Sequence, residues 1–143
     1  MSNFRKLTEN IMVSQQLVLS DVAAAAGLGV ALIINNRPDG EDPDAPQGDD
    51  IAAAAAAAGL NYAAIPIGHS GFSEPQVDAM VAALEQAEGP ILAYCRSGTR
   101  STFLWALAEA KQGGDPATIA HTAAQAGYDV SPIRAMIDML AAR

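Results

Sequence analysis

The chain has a single cysteine, Cys95, among its 143 residues, so no internal disulfide can form. That usage suits a reducing compartment, and a cytoplasmic location is expected. Its two histidines, His69 and His121, lie far apart, and with one cysteine they make a structural zinc site improbable. Neither a metal nor a cofactor is expected. Basic residues are scarce: Lys and Arg total 8 against 16 Asp and Glu, the formal net charge is −8, and no basic cluster occurs. Nucleic acid and anionic membrane surfaces are therefore not expected as partners. The amino terminus lacks a signal-peptide core, and no apolar run reaches membrane-spanning length. Aromatics make up only 5%, so alanine and aliphatic side chains must do the packing. The length is that of one domain, 1–143, without linker or repeat; the alanine-rich run 52–58 reads as helix.

The stretch with the most chemistry is Ile91–Ser101. Ile91-Leu92-Ala93-Tyr94, opened by Pro90, has the length and punctuation of a buried strand. It stops at Cys95, and a helical pattern opens at Ser101. A thiol at a strand-to-helix junction lies where backbone N–H groups and the helix dipole favour negative charge. With Arg100 nearby, such a setting favours the nucleophilic thiolate. Gly98 permits the dihedrals that let successive N–H groups face one small cup. The bland alternative is a buried, inert cysteine.

Before this stretch, strand and helix patterns alternate. Ile11-Met12-Val13 reads as an edge strand. Ser20 or Asp21 caps a brief helix over Val22–Ala26 that Gly27 ends, and Val30–Ile34 is a buried strand rich in branched residues. Residues 38–50, dense in Pro, Gly and acid, read as an exposed loop, after which Asp49 or Asp50 caps a helix through Ala58. Tyr62–Ile67 reads as a strand, Gly68–Phe72 as a loop, and Ser73 as the cap of a helix to about Ala87. After the cysteine only helical patterns follow: one with the stripe Phe103, Leu104, Leu107 and Ala108, one opened by Asp115-Pro116, and one opened by Ser131-Pro132. The order predicts an α/β fold with a mostly parallel central sheet, helices on both faces and a helical C-terminus. Ligands bind outside the carboxyl ends of such strands, which here are Asn35–Glu41, Gly68–Phe72 and Cys95–Arg100.

Two families use a cysteine cradle of this kind. Cys95-Arg96-Ser97-Gly98-Thr99-Arg100 puts four residues between Cys and Arg, as in the Cys-Arg-x-Gly-x-Arg loop of rhodanese sulfurtransferases, which it resembles. Cysteine phosphatases use one residue more, and the shorter ring better suits a terminal persulfide sulfur than a tetrahedral oxyanion. The order of elements points the other way: a rhodanese domain returns to the sheet after its loop, whereas dual-specificity phosphatases finish in helices. Ile33–Glu41 together with Ala93–Ser101 resembles the phosphatase-like domain of beta-lactamase-hydrolase-like proteins, also labelled sulfur transferases, from about Leu7 to Leu107. The resemblance implies a fold like that of dual-specificity phosphatases. It also implies a link to sulfide metabolism, because relatives are fused to a persulfide dioxygenase domain. This chain is then expected to act alone or with a separate dioxygenase.

The main expectation is a sulfurtransferase. Cys95 takes the outer sulfur of thiosulfate or a persulfide and passes it to an acceptor thiol. The alternatives are a phosphatase in which Cys95 accepts the phosphoryl group, and a non-catalytic module that captures an anion or persulfide. Arg100 is expected to clamp the anion. Arg96 either receives the substrate's charged tail or is merely solvated. Ser97 and Thr99 either bond the sulfur or shape the loop, and Ser101 is expected both to bond the thiolate and to cap the helix. Arg37 could pair with an anionic substrate while Asp39 holds Arg37 or Arg100; the competing reading is a turn carrying an ion pair. His69 sits in the loop where a phosphatase carries its acid carboxylate, and either replaces it or is an exposed loop histidine. Segment 68–72 has no Asp or Glu, which favours sulfur transfer, since expelling sulfite needs no proton donor. His121, Phe103 and Trp105 are expected to be structural.

Overall fold

The computed structural model describes residues 3–68 and 70–143. Five strands form one sheet: β1 (Arg5–Thr8), β2 (Ile11–Ser14), β3 (Leu32–Asn35), β4 (Asn61–Ala64) and β5 (Ile91–Tyr94). Their order is β1-β2-β5-β3-β4; β1 runs antiparallel to β2 and every other pairing is parallel. The helices are α1 (Leu19–Gly27), α2 (Gly48–Ala57), α3 (Glu74–Gln86), α4 (Thr99–Lys111), α5 (Pro116–Gln125) and α6 (Arg134–Ala141), the last preceded by a 3-10 turn at Ser131–Ile133. No helix among the described residues is long and apolar enough to cross a membrane.

The register explains how two layers of helix cover one sheet. Successive side chains on a strand point to opposite faces, and β3 and β5 pair Ile33 with Leu92 and Ile34 with Ala93. Ile33, Leu92 and Tyr94 pack with Val22 of α1 and Ile51 of α2. Ile11, Val13, Ile34, Ile91 and Ala93 pack on the other face with α3 to α6, through Met80, Leu104, Leu107, Ile119 and Ile137. Each such Val, Leu, Ile or Met side chain contributes about 1.5–3 kcal/mol by leaving water. The expected α/β architecture, parallel centre and helical C-terminus are what the chain forms.

Three local expectations need correction. Ile11–Val13 is not at the edge, because Arg5–Thr8 pairs outside it. α1 starts at Leu19, and Asp21 sits one turn inside, its carboxylate accepting from the Val18 N–H at 2.9 Å. α2 starts at Gly48; Asp50 likewise accepts from the Gln47 N–H at 3.0 Å, while Asp49 is exposed. At these two helices a carboxylate at the third helical position reaches back to the capping residue, the reciprocal half of a capping box. Ser73 and Asp115 stand at the caps expected of them, and the Asp115 side chain accepts from the Thr118 N–H at 3.0 Å.

Candidate functional site

Strand β5 is hydrogen-bonded on both sides and ends in register with β3, Tyr94 opposite Asn35. The loops after β3, β4 and β5 therefore leave the sheet at one level. Cys95 follows β5 directly: its N–H donates to the Ser14 carbonyl at 3.3 Å and its side chain is fully buried. The chain then turns through Arg96 and Ser97 to Gly98, whose φ of +92° only glycine adopts without strain. Gly98 caps α4, so Cys95 stands just ahead of the positive end of that helix. The Gly98 N–H points back and donates to Cys95 Sγ at 3.1 Å. On the far side of Gly98 its carbonyl accepts from Thr102, both from the N–H at 2.9 Å and from Oγ1 at 2.8 Å. These bonds give the cup its shape without a substrate.

Arg100, on the first turn of α4, faces a carboxylate that lies 59 positions earlier. Its Nη1 and Nη2 donate to Glu41 Oε2 and Oε1 at 2.9 and 2.7 Å, and Nη1 also donates to the Ile67 carbonyl at 2.8 Å. Arg37 Nε donates to Glu41 Oε1 at 2.8 Å. The hydrogen bond from Arg100, with help from Arg37 and against the opposing effect of partial burial, holds the Glu41 carboxyl down to about 2. The Arg100 guanidinium is raised in turn, first by Glu41 and less strongly by its proximity to Cys95. Glu41, Gly68, Arg96, Ser97 and Arg100 line an open cavity of about 470 Å³ above the loop.

The Glu41 shift carries a pH signature. Its folded pKa lies below the ordinary 4.5, so the stability it contributes is complete above 4.5 and is lost as pH falls through about 2. Glu41→Gln has no such titration. The gap in urea midpoint between parent and Glu41→Gln should be constant near neutral pH and shrink on acidification from about 4.5 to about 2. A gap that stays constant over that range would show that the pair is not what holds the carboxylate.

Of the side chains expected to form the site, Cys95, Arg100, Arg96, Ser97 and Gly98 come together at the cavity or its floor. Arg96 is exposed at the rim. Ser97 Oγ donates to Thr99 Oγ1 at 3.0 Å, so these hydroxyls bond each other and shape the loop. Ser101 differs from expectation: it lies inside α4, and its buried Oγ donates to Asn36 Oδ1 at 2.8 Å, so its proton is committed away from the sulfur. Arg37 is 8% exposed and spends its side chain on Glu41 and on Gln16 Oε1, 2.9 Å away, rather than on the cavity. Asp39 holds neither arginine; its Oδ1 accepts from the Gly48 N–H at 2.8 Å, at the start of α2. His69 lies outside the described residues. His121 is exposed on α5, Trp105 is buried in the core, and Phe103 is half-buried with its ring centroid 6.2 Å from that of Phe72.

Sequence reasoning missed four residues. Glu41 and Asn36 stood in a loop already placed beside the site, but nothing local says which of its polar groups turns inward. Gln16 ties the loop down through its N–H to the Arg96 carbonyl at 3.2 Å, and Tyr128 Oη donates to the Ser97 carbonyl at 3.1 Å. Neither residue sits in a motif. Among the described residues no group of three or more His, Cys, Asp or Glu side chains is placed to hold a metal ion.

Comparison with known proteins gives a consistent set. The model of a family described as beta-lactamase hydrolase-like protein, phosphatase-like domain, matches residues 3–112. A beta-lactamase hydrolase-like protein of Agrobacterium fabrum is 35% identical over 108 residues, which is 76% of this chain and 25% of the relative. One from Xylella fastidiosa is 37% identical over 107 residues, 75% of this chain and 25% of the relative. The chain thus spans about a quarter of the length of these curated relatives. Among solved structures, a candidate phosphatase from Neisseria meningitidis aligns with a TM-score of 0.86 and 32% identity, covering 98% of this chain and 99% of the other. TpbA of P. aeruginosa aligns with a TM-score of 0.71 over 99% of this chain and 89% of its own, at 20% identity, which speaks to the fold alone.

Proposed function

Because the chain belongs to the family of the phosphatase-like domain of beta-lactamase hydrolase-like proteins, we propose that it is a cysteine-dependent phosphatase acting on small aryl phosphate monoesters. The observation that carries the reading is the Gly98 N–H set 3.1 Å from Cys95 Sγ at the head of α4, with the Arg100 guanidinium beside the same cavity. Backbone N–H groups and a helix N-terminus stabilise both a thiolate and the charge on a transferring phosphoryl group. Cys95 attacks phosphorus in line, the P–O bond to the leaving group breaks, and the aryloxide departs. Water then cleaves the cysteinyl phosphate, returning the thiolate and releasing inorganic phosphate. Arg100 exchanges its Glu41 contact for the phosphoryl oxygens as the substrate binds.

Glu41 bears on the substrate class. A carboxyl held near 2 is ionised at neutral pH and has no proton for a leaving group. That favours aryl esters, whose oxyanions leave unaided more readily than alkoxides. The net charge of −8 slows the approach of highly charged anions and favours small substrates. The bound state of TpbA offers a parallel for that protein, whose cysteine-to-serine variant was crystallised with phosphotyrosine.

One feature favours a second reading. The four-residue spacing from Cys95 to Arg100 is the shorter, rhodanese-like one. In that chemistry the Cys95 thiolate attacks the outer sulfur of thiosulfate, sulfite leaves, and the resulting Cys95 persulfide gives its outer sulfur to an acceptor thiolate or cyanide. A separate persulfide dioxygenase would then be a fitting partner. Capture without turnover is the remaining reading.

Two assays on the reduced protein separate the three. Phosphatase chemistry predicts steady release of p-nitrophenol from p-nitrophenyl phosphate, and no mass change after brief exposure to thiosulfate. Sulfur transfer predicts an intact mass larger by one sulfur atom, reversed by cyanide, with no p-nitrophenol released. A stable adduct without turnover of either compound would leave only capture, and would overturn the phosphatase proposal.

A further inference from the structure

The peptide between Ser97 and Gly98 is held from both sides. Its N–H donates to Cys95 Sγ at 3.1 Å. Its carbonyl accepts from Tyr128 Oη at 3.1 Å, on the outer side of the loop. In a trans peptide the C=O and N–H point in opposite directions, and the described residues contain no cis bond. Whatever fixes the carbonyl outward therefore aims the N–H inward.

Tyr128 is itself fixed. The Arg5 guanidinium from β1 lies over its ring, 5.5 Å from the centroid, and Arg5 Nη1 donates to the Ala126 carbonyl at 3.0 Å. Gly127, with φ +96°, leaves the space that Arg5 occupies. On the loop side, a Cβ at Gly98 would overlap the Tyr128 hydroxyl. Burial pushes the Tyr128 phenol above its ordinary value, against the opposing pull of Arg5 and with a small push from Cys95, so it stays a donor at neutral pH. The charged groups that bear on this assembly are Arg5 beside the ring and Arg100, with its Glu41 partner, beside the sulfur.

We propose that Tyr128 is the positioning residue of the cysteine loop: its hydroxyl anchors the Ser97 carbonyl outward and so directs the Gly98 N–H onto Cys95 Sγ. The hydrogen bonds run in series from Oη through the peptide to the sulfur, and each polarises the next. Without the hydroxyl, the Ser97–Gly98 peptide loses its outer restraint, and the Gly98 N–H is held on the sulfur less firmly. Tyr128 lies beyond residues 3–112, so the chain completes the loop with a residue from outside the segment that the family model covers.

The test is Tyr128→Phe, which keeps the ring and its contact with Arg5. In nitrogen-15 labelled protein, the Gly98 amide proton should move upfield and exchange with solvent roughly fivefold faster. With p-nitrophenyl phosphate, kcat should fall by about five- to tenfold with KM changed by less than about twofold, the pattern of a lost transition-state contact. Arg5→Leu is the comparison: it loosens the ring but leaves the hydroxyl, and should lower thermal stability while moving the Gly98 amide by much less than Tyr128→Phe does. An unmoved Gly98 amide in Tyr128→Phe overturns the proposal, as does an equal movement in Arg5→Leu, which would assign the effect to packing. Only the kinetic arm rests on the phosphatase reading. A wild-type protein that turns over no aryl phosphate removes that reading and leaves the amide measurement to decide on Tyr128.

Discussion

Cys95→Ser is expected to lower turnover of an aryl phosphate by at least about 1,000-fold while leaving the fold intact, because the nucleophile is lost and little else changes. The side chain is fully buried at the floor of the cup and accepts a hydrogen bond from the Gly98 N–H. A serine hydroxyl accepts that bond as well and fills nearly the same space, so the Gly98 N–H keeps its partner. Stability should change by no more than about 1 kcal/mol. At neutral pH, however, the hydroxyl holds its proton, and the loop places no side-chain base beside it. Steady-state turnover and thermal melting of the two proteins read the two halves separately. Residual activity within about tenfold of the parent would remove Cys95 from the chemistry and return it to the role of a buried core thiol.

The second large effect is expected at Gly98, where one methyl group meets two obstacles. The φ of +92° is costly for any residue with a Cβ, by about 1–2 kcal/mol. The same methyl would overlap the Tyr128 hydroxyl, which must swing away and give up its bond to Ser97, worth about 1 kcal/mol. Gly98→Ala should therefore lose about 2–3 kcal/mol of stability, and activity should fall by more than in Tyr128→Phe because the peptide is both strained and released. The two substitutions should not add: with the hydroxyl already displaced, Tyr128→Phe costs less in the Gly98→Ala background than in the parent. Urea midpoints of the four proteins of this cycle check the coupling. Strict additivity would mean that the methyl group and the hydroxyl do not meet.

Much of the fold could be read from local pattern because its signals are local. Ile91–Tyr94 is apolar at every position and forms the central strand, buried on both faces. Ser73 before Glu74 and Asp115 before Pro116 mark helix starts through chemistry confined to four residues. β1 escaped notice because Arg5-Lys6-Leu7-Thr8 carries two charges and one buried side chain, Leu7. It is a strand by virtue of backbone pairing with β2 and the docking of Arg5 on Ala126 and Tyr128, which no short window contains. The site divides in the same way. The sulfur, the glycine turn and the first turn of α4 follow from six consecutive residues, whereas the partner of Arg100 is set by the loop after β3. Asp39 and Glu41 are two positions apart and both carry carboxyl groups; the N-terminus of α2 captured the first and the two arginines captured the second. Nor does any local rule direct Ser101 to Asn36, 65 residues before it, instead of to the neighbouring sulfur.

The sheet order has a consequence for assembly. β5 is the last strand in the chain and sits between β2 and β3, pairing with both. Until it enters, the two earlier strands lack a common neighbour, and each presents an open edge of the kind that invites pairing with other chains. Those contacts span long stretches of sequence, so they are made against a chain-entropy cost. The strand that closes this gap is also the one that delivers Cys95. A chain without that strand has neither a continuous sheet nor a nucleophile in its cup, and so the sheet and the site depend on the same element.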